Sequence, residues 1–411
     1  MDFATHYTQE QQEFRKEVRA WLDANIPKDF EEKLKPDSAE QTEEEFHWAL
    51  EFRHKLGAKG WLAPLWPKDL GGGGLTMDQA VVIEEELAEH EIPPVGDLGL
   101  SLAGPAIRAW GTEEQKQRFL PPIMLGDSVV WQVFTEPEAG SDLASLKTRA
   151  VEDGDDFVVN GNKIFVGSKY TADFLYTLAV TDPTAPRHQN ISAFMIPTNA
   201  PGLTITHLDL MAGGGKRMIY FEDVRVSRNN LLGGDNGRGK GWWVAQTTLE
   251  LEHGGSGRVT ARNKLVDQFI AYCKRATRNG KPISNDPEAQ DALADMYIKS
   301  HVGRLLGLRN FWMRNSGVKF SYEGSQFSLW GKTFSPWLAK RLLEVAGPYA
   351  TIDDPQWAAV RGELENQQRQ SLATHPGGTP EIQKIIIARA IGMSRTPNRT
   401  AEMGRTETPA S

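Results

Sequence analysis

A single cysteine, Cys273, in 411 residues excludes an intramolecular disulfide and argues strongly against a cysteine-based zinc site. No stretch approaches the ~18 uninterrupted apolar residues of a membrane span, so no transmembrane helix is expected. A basic surplus is missing too. Lys+Arg number 46 against 54 Asp+Glu, a formal net charge of −8, which argues against a general nucleic-acid or anionic-membrane binder. The nine histidines are scattered and show no H-E-x-x-H or other metal spacing. The opening residues Met1-Asp2-Phe3-Ala4-Thr5-His6 are neither basic nor apolar, so neither a secretory signal nor a transit peptide is expected. A reducing cytoplasm is the simplest compartment.

Glycine, by contrast, is plentiful: 39 of 411 residues, above the ~7% usual in globular chains. Seventeen of them fall in five clusters: Gly71 to Gly74, Gly213 to Gly215, Gly233 to Gly241, Gly254 to Gly257, and Gly377 with Gly378. Such clusters mark sharp turns or close backbone approaches. Gly71 to Gly74 lacks the Gly-Lys-Ser/Thr ending of a phosphate loop, which removes the obvious nucleotide cradle. The twelve tryptophans are not interleaved with basic runs, so core and interface roles fit them better than base stacking.

Texture divides the chain. Residues 1–128 read as helical, with Phe14, Val18, Trp21 and Leu22 at helical spacing, a second pattern through Leu50, His54 and Gly57, and a third helix from Met77 to Glu91. Thr112-Glu113-Glu114-Gln115 starts a helix expected to end at Phe119-Leu120, before Pro121-Pro122. Residues 129–237 are β-rich, and Asn160-Gly161 reads as the turn between two short strands. Residues 238–395 return to helix, and 396–411 form a polar tail. The order predicts an α+β protein: helices, a middle antiparallel β-barrel or sandwich, and a C-terminal four-helix-bundle domain.

Thr135-Glu136-Pro137-Glu138-Ala139-Gly140-Ser141-Asp142, at the end of an expected strand, resembles the T-E-P-x-A-G-S-D signature of the acyl-CoA dehydrogenase family. Asn160-Gly161-Asn162-Lys163-Ile164-Phe165 is similar to the family's N-G-x-K-x-W. Phe221-Glu222-Asp223-Val224-Arg225-Val226 is similar to its F-x-D-V-x-V, with Asn230-Leu231-Leu232-Gly233 following. Glu381-Ile382-Gln383-Lys384 resembles the closing E-I-Q-R helix. These segments come in family order, and the match covers nearly the whole chain. The resemblance implies FAD, an acyl-CoA thioester substrate, α,β-dehydrogenation to a trans-2-enoyl-CoA, reoxidation by an electron-transferring flavoprotein, and tetramers.

Removing a weakly acidic α-proton requires a positioned carboxylate base. In many family members the base is the glutamate of Y-E-G-T. This chain reads His375-Pro376-Gly377-Gly378-Thr379, so Gly377 stands at that position. A minority of the family carries the base earlier, in an L-D-L-E-R stretch. Leu249-Glu250-Leu251-Glu252-His253 is similar to it, which makes Glu252 the candidate base and Glu250 the fallback. Taken alone, Glu252 would read as one more solvated helix glutamate.

The same resemblance assigns Phe134, Thr135, Gly140 and Ser141 to the flavin loop, and Phe165 to the place of a tryptophan that packs on the flavin. The usual Thr/Ser pair near flavin N5 reads Val166-Gly167, leaving Ser168 as the substitute donor. Thr379 and Glu381 match residues that approach the flavin. Glu344 and Gly347 stand where a neighbouring subunit supplies a glutamine and a glycine to the adenosine half. Arg278 is the nearest match to an arginine that pairs with the pyrophosphate. His253 replaces an arginine, and Gly254-Gly255-Ser256-Gly257 follows it. Three glycines in a helix cost roughly 1 kcal/mol each relative to alanine. Close helix packing explains such a run. So does an acyl pocket, lined by His253, Gly254, Gly255 and Gly377, that admits a bulky or steroid-type chain. Two alternatives share the fold: a flavin monooxygenase or nitroalkane-oxidase-like relative, and a non-catalytic partner subunit of a hetero-tetramer.

Overall fold

The computed structural model describes residues 7–28, 42–90, 92–93, 95–167, 171–212, 215–252, 263–354 and 356–393. The chain divides into two compact units, Met1–Leu249 and Glu250–Ser411.

The first unit opens with helices α1 (Gln9–Asn25), α2 (Glu43–Ala58) and α3 (Met77–Ala88), followed by α4 (Gly104–Trp110) and α5 (Glu113–Leu125). Four of these start on the same device. Thr8, Thr42, Thr76 and Thr112 each accept a backbone N–H three residues on, and Gln11, Glu45, Gln79 and Gln115 return the bond to the threonine N–H. Apolar faces of α1 to α3 meet in a core around Val18, Leu22, Phe52, Leu56, Val82 and Ile83.

α5 does not stop before Pro121-Pro122 as its sequence predicts; it runs through both prolines to Leu125. Proline removes an intrahelical hydrogen bond and crowds the preceding turn. Burial of Phe119, Leu120, Ile123 and Met124 in one core outweighs that local cost.

Seven strands follow: β1 (Val130–Val133), β2 (Arg149–Asp153), β3 (Asp156–Val166), β4 (Phe174–Val180), β5 (Ile191–Pro197), β6 (Leu203–Leu208) and β7 (Lys216–Ser227). Their order is β1-β4-β2-β3-β7-β6, with β5 also paired to β4. Most pairs are antiparallel, but β1 and β2 run parallel to β4. β4 and β5 are buried almost throughout, which is why Phe174 to Val180 and Ile191 to Ile196 read as near-continuous apolar runs.

Asn160-Gly161 is not a turn. β3 passes straight through it, paired with β7 and kinked by register shifts at Val159/Gly161 and Lys163/Val166. The glycine serves close approach instead: a Cβ there would lie 2.5 Å from Thr148 Oγ1. Asn160 is used across the strands, its amide donating to Asp223 Oδ1 and its oxygen accepting the Asp223 N–H, both at 2.9 Å.

A buried ion pair joins these helices to the sheet. Arg53 of α2 and Asp97 are 3% and 1% exposed and 3.3 Å apart. Arg53 also donates to the carbonyls of Val95 and Ser128, and Asp97 accepts the Val130 N–H at 2.9 Å.

Helix α6 (Gly241–Glu250) begins the return to helix, and helical backbone continues through Leu251 and Glu252. The second unit contains α7 (Lys264–Arg275), a two-stranded hairpin β8 (Thr277–Arg278) and β9 (Lys281–Pro282), then α8 (Pro287–Asn315), α9 (Glu323–Ala346), α10 (Glu363–Gln370) and α11 (Pro380–Ala390). Its core gathers Phe269, Met296, Leu338, Leu342 and Leu364 around Cys273. Burial pushes the Cys273 thiol up to about 11, so it packs as a small apolar group. Among the described residues no helix is long and apolar enough to cross a membrane, and no group of acids, histidines and cysteine forms a metal site.

Replacing Arg53 with methionine leaves Asp97 buried without its counter-charge. It should destabilise the fold by about 3–5 kcal/mol. Chemical denaturation of the two proteins checks this, and equal midpoints would reject the role assigned to the pair.

Candidate active site

In the first unit the candidate flavin loop leaves the end of β1. Pro137-Glu138 forms its tip, closed by reciprocal backbone bonds between Glu136 and Ala139 at 3.1 Å. Gly140 and Ser141 are exposed, and nothing lies within 4 Å of where a Gly140 Cβ would be. Thr135 is half-buried, and its carbonyl accepts the Ile164 N–H at 3.0 Å. Phe134 is buried edge-on against Tyr176, with ring centroids 5.0 Å apart. Its carbonyl is committed to Lys163, at 3.1 Å.

Lys163 fixes the loop from beneath. Its side chain is 0% exposed and its ammonium lies 2.9 Å from Glu136 Oε1. Glu136 also accepts the backbone N–H groups of Lys147 and Thr148, at 2.6 and 2.9 Å. One carboxylate thus ties the start of the loop to the start of β2, while its lysine comes from β3. Burial pushes Lys163 down to about 8 against the pull of Glu136. Burial also works against an ionised Glu136, but the Lys163 charge and the bonds from Thr148 and Lys147 outweigh it, leaving the carboxyl below its ordinary value.

At the end of β3, Phe165 has φ +60° and is 43% exposed. A bulky residue in left-handed backbone is strained. The next positions explain the departure from the family pattern. Gly167 has φ +74°, and a Cβ there would meet the Trp131 ring at 3.0 Å. The Trp131 ring therefore fills the room that a side chain at 167 would need. Its own Nε1 is buried without a hydrogen-bond partner among the described residues, and Arg217 lies 5.2 Å from its ring. Hydroxyl and amide donors beside open space, with an exposed aromatic ring on the adjoining strand, fit the edge and face of a flavin.

In the second unit, Glu252 and Gly377 are brought together. A Cβ on Gly377 would lie 3.6 Å from Glu252 Cγ and 3.7 Å from Glu252 Oε1. Gly377 and Gly378 both have positive φ, +66° and +79°. The fully buried Gln383 holds this turn, its amide donating to the Gly377 carbonyl at 2.8 Å. Thr379 caps α11 by accepting the Ile382 N–H, and Glu381 is exposed in the first turn.

Arg278, Glu344 and Gly347 also converge. Arg278 donates to the Val345 carbonyl at the end of α9, next to Glu344. Glu344 is bonded by Arg341 at 2.9 Å. Gly347 has φ +62° and open space at its Cβ position. Ser168, His253, Gly254 and Gly255 lie outside the described residues.

Family models match almost end to end: "Acyl-CoA dehydrogenase, N-terminal domain" over residues 8–127, "middle domain" over 132–224 and "C-terminal domain" over 239–392. The chain belongs to the acyl-CoA dehydrogenase family. It is 33% identical to acyl-CoA dehydrogenase FadE26 of Mycobacterium tuberculosis, covering 95% of this chain and 98% of that protein. It is 31% identical to FadE29 of the same organism, covering 92% and 97%. Among solved structures, one described as the "Tcur3481-Tcur3483 steroid ACAD" superposes with a TM-score of 0.82 at 30% identity, covering 96% of this chain and 100% of that one. The ChsE4-ChsE5 complex of Mycobacterium tuberculosis gives 0.79 at 30% identity, with the same coverage. This acyl-CoA dehydrogenase is therefore an FAD-dependent oxidoreductase acting on acyl-CoA.

In the sequence, Lys163, Glu136 and Gln383 stand out only as motif letters, and Trp131 only as a β-former. An isolated lysine in a β-forming stretch and an acidic residue before proline were the available signals. Pairing across 27 positions is visible only in the fold.

Because Glu136 is held below its ordinary value, its ionised form contributes stability at neutral pH that is lost as pH falls through the lowered value, while the burial that lowers Lys163 works in the opposite direction. Lys163→Met should cost about 3–5 kcal/mol and loosen FAD, with Lys163→Met/Glu136→Gln recovering part of the stability. Denaturant midpoints and retained flavin absorbance measure both effects. A single variant as stable as the parent would contradict them.

Proposed function

We propose that this enzyme oxidises the Cα–Cβ bond of an acyl-CoA thioester to a trans-2-enoyl-CoA, with Glu252 taking the α-proton. The observation that supports it is the packing of Glu252 against Gly377. The usual base position is empty of a side chain, and the alternative carboxylate lies beside it. Bound FAD supplies the acceptor for the β-hydrogen, as hydride.

The chain's own residues divide the remaining work. Thr135, Gly140 and Ser141 offer hydroxyl and amide donors to the flavin edge and pyrophosphate, from a loop anchored by Glu136. Phe134 supports that loop from the core. Phe165 presents its ring to the flavin face from strained backbone. Thr379 and Glu381 approach the cofactor from the start of α11. Arg278, Glu344 and Gly347 form one cluster for the adenosine and pyrophosphate half of an FAD bound by a neighbouring subunit. The intact flavin loop and the carboxylate at Glu252 favour dehydrogenation over a monooxygenase or a subunit without catalysis.

The acyl chain is read as bulky, of steroid type. Gly377 carries no side chain, and one matched structure is itself described as a steroid enzyme. An electron-transferring flavoprotein is the proposed electron acceptor. A tetramer is the proposed assembly, and the matched two-protein complexes favour one that includes a related second subunit.

Anaerobic titration of the purified holoenzyme with a panel of acyl-CoAs, followed by bleaching of the flavin band at about 450 nm, tests cofactor, base and substrate together. Glu252→Gln should retain FAD and lose enoyl-CoA formation by about 10³-fold or more. Full turnover by that variant removes Glu252 from the role. In direct competition, a sterol-side-chain CoA thioester should be consumed faster than a linear medium-chain one; the reverse preference rejects the bulky-chain reading.

A further inference from the structure

The base proposed above sits against a turn that is fixed from two directions. Gln383 holds the Gly377 carbonyl from α11. Lys332, on α9, holds the residues just before it. Its ammonium donates to the Thr374 carbonyl at 3.1 Å and to the Pro376 carbonyl. Gly377, the next residue, is the one whose α-carbon faces Glu252. Two clamps therefore set where the backing surface of the Glu252 carboxylate lies.

Bonding two carbonyls does not require a charge. A half-buried ammonium is a costly way to do it, and burial pulls Lys332 below its ordinary pKa. Among the described residues, Glu252 is the one charged group that acts on this ammonium, and it acts to keep it protonated.

We propose that Lys332 is a positioning residue for the base: it locks the Thr374–Pro376 backbone so that Gly377 backs the Glu252 carboxylate. The inference rests on Glu252 being the base.

The test uses full-length holoenzyme and the acyl-CoA that bleaches the parent flavin fastest. Lys332→Met and Lys332→Gln should keep FAD but reduce flavin more slowly by about tenfold or more, with KM changed by no more than about threefold. Lys332→Arg keeps the charge and can bond both carbonyls, so it should stay within about threefold of the parent. The glutamine variant can still donate to one carbonyl and decides the matter if the methionine variant does not fold. Parent-like rates in Lys332→Gln overturn the proposal, as does an arginine variant no better than methionine. Glu252→Gln run alongside separates the two ideas. If it is inactive while Lys332→Gln is unaffected, only the positioning role fails; if it turns over normally, the base assignment itself fails.

Discussion

The candidate flavin loop depends on one buried ion pair. Thr135 to Asp142 carries the family signature, but its short polar residues contain nothing that would hold a loop rigid on their own. Glu136 turns inward, takes two backbone N–H groups from the start of β2 and faces Lys163 of β3. Burying both charges is expensive, and full pairing is what makes it tolerable. The register shifts in β3 belong to the same arrangement, since they precede and follow the residue that must point inward. Strand, bulge and loop thus form one unit, and the exposed donors at Gly140 and Ser141 inherit their placement from it.

Glycine has the opposite function in the second unit. Gly377 contributes no group of its own. It contributes a left-handed turn, held by the buried Gln383, that lies against Glu252. The same logic recurs at Gly167, where the missing side chain makes room for Trp131. In both places a departure from the family pattern is matched by a larger or charged residue that is distant in sequence and adjacent in space.

Much of this was legible in the sequence. The threonine caps, the helix–strand–helix order and the apolar runs of β4 and β5 follow from local chemistry. The errors came where tertiary contacts overrode local signals. Pro121-Pro122 ought to end a helix, but the apolar residues on either side are buried and carry it through. Asn160-Gly161 has the composition of a tight turn, but Thr148 needs a glycine opposite it and Asp223 needs the asparagine. Of the candidate site, the exchange between Gly377 and Glu252 could be proposed from motif comparison, because both lie in recognisable segments. Lys332 could not, because nothing in its helix distinguishes it from any other lysine; its meaning comes from the two carbonyls that accept its bonds.

The contact between Glu252 and Gly377 has an evolutionary consequence. A glutamate placed at 377 would have to adopt left-handed backbone and would start beside the Glu252 carboxylate, placing two like charges together. Substitutions at 252 and 377 should therefore be epistatic, because each changes the charge that the other meets. A lineage moving the carboxylate from one site to the other must pass through a form with both or with neither, and both forms are handicapped.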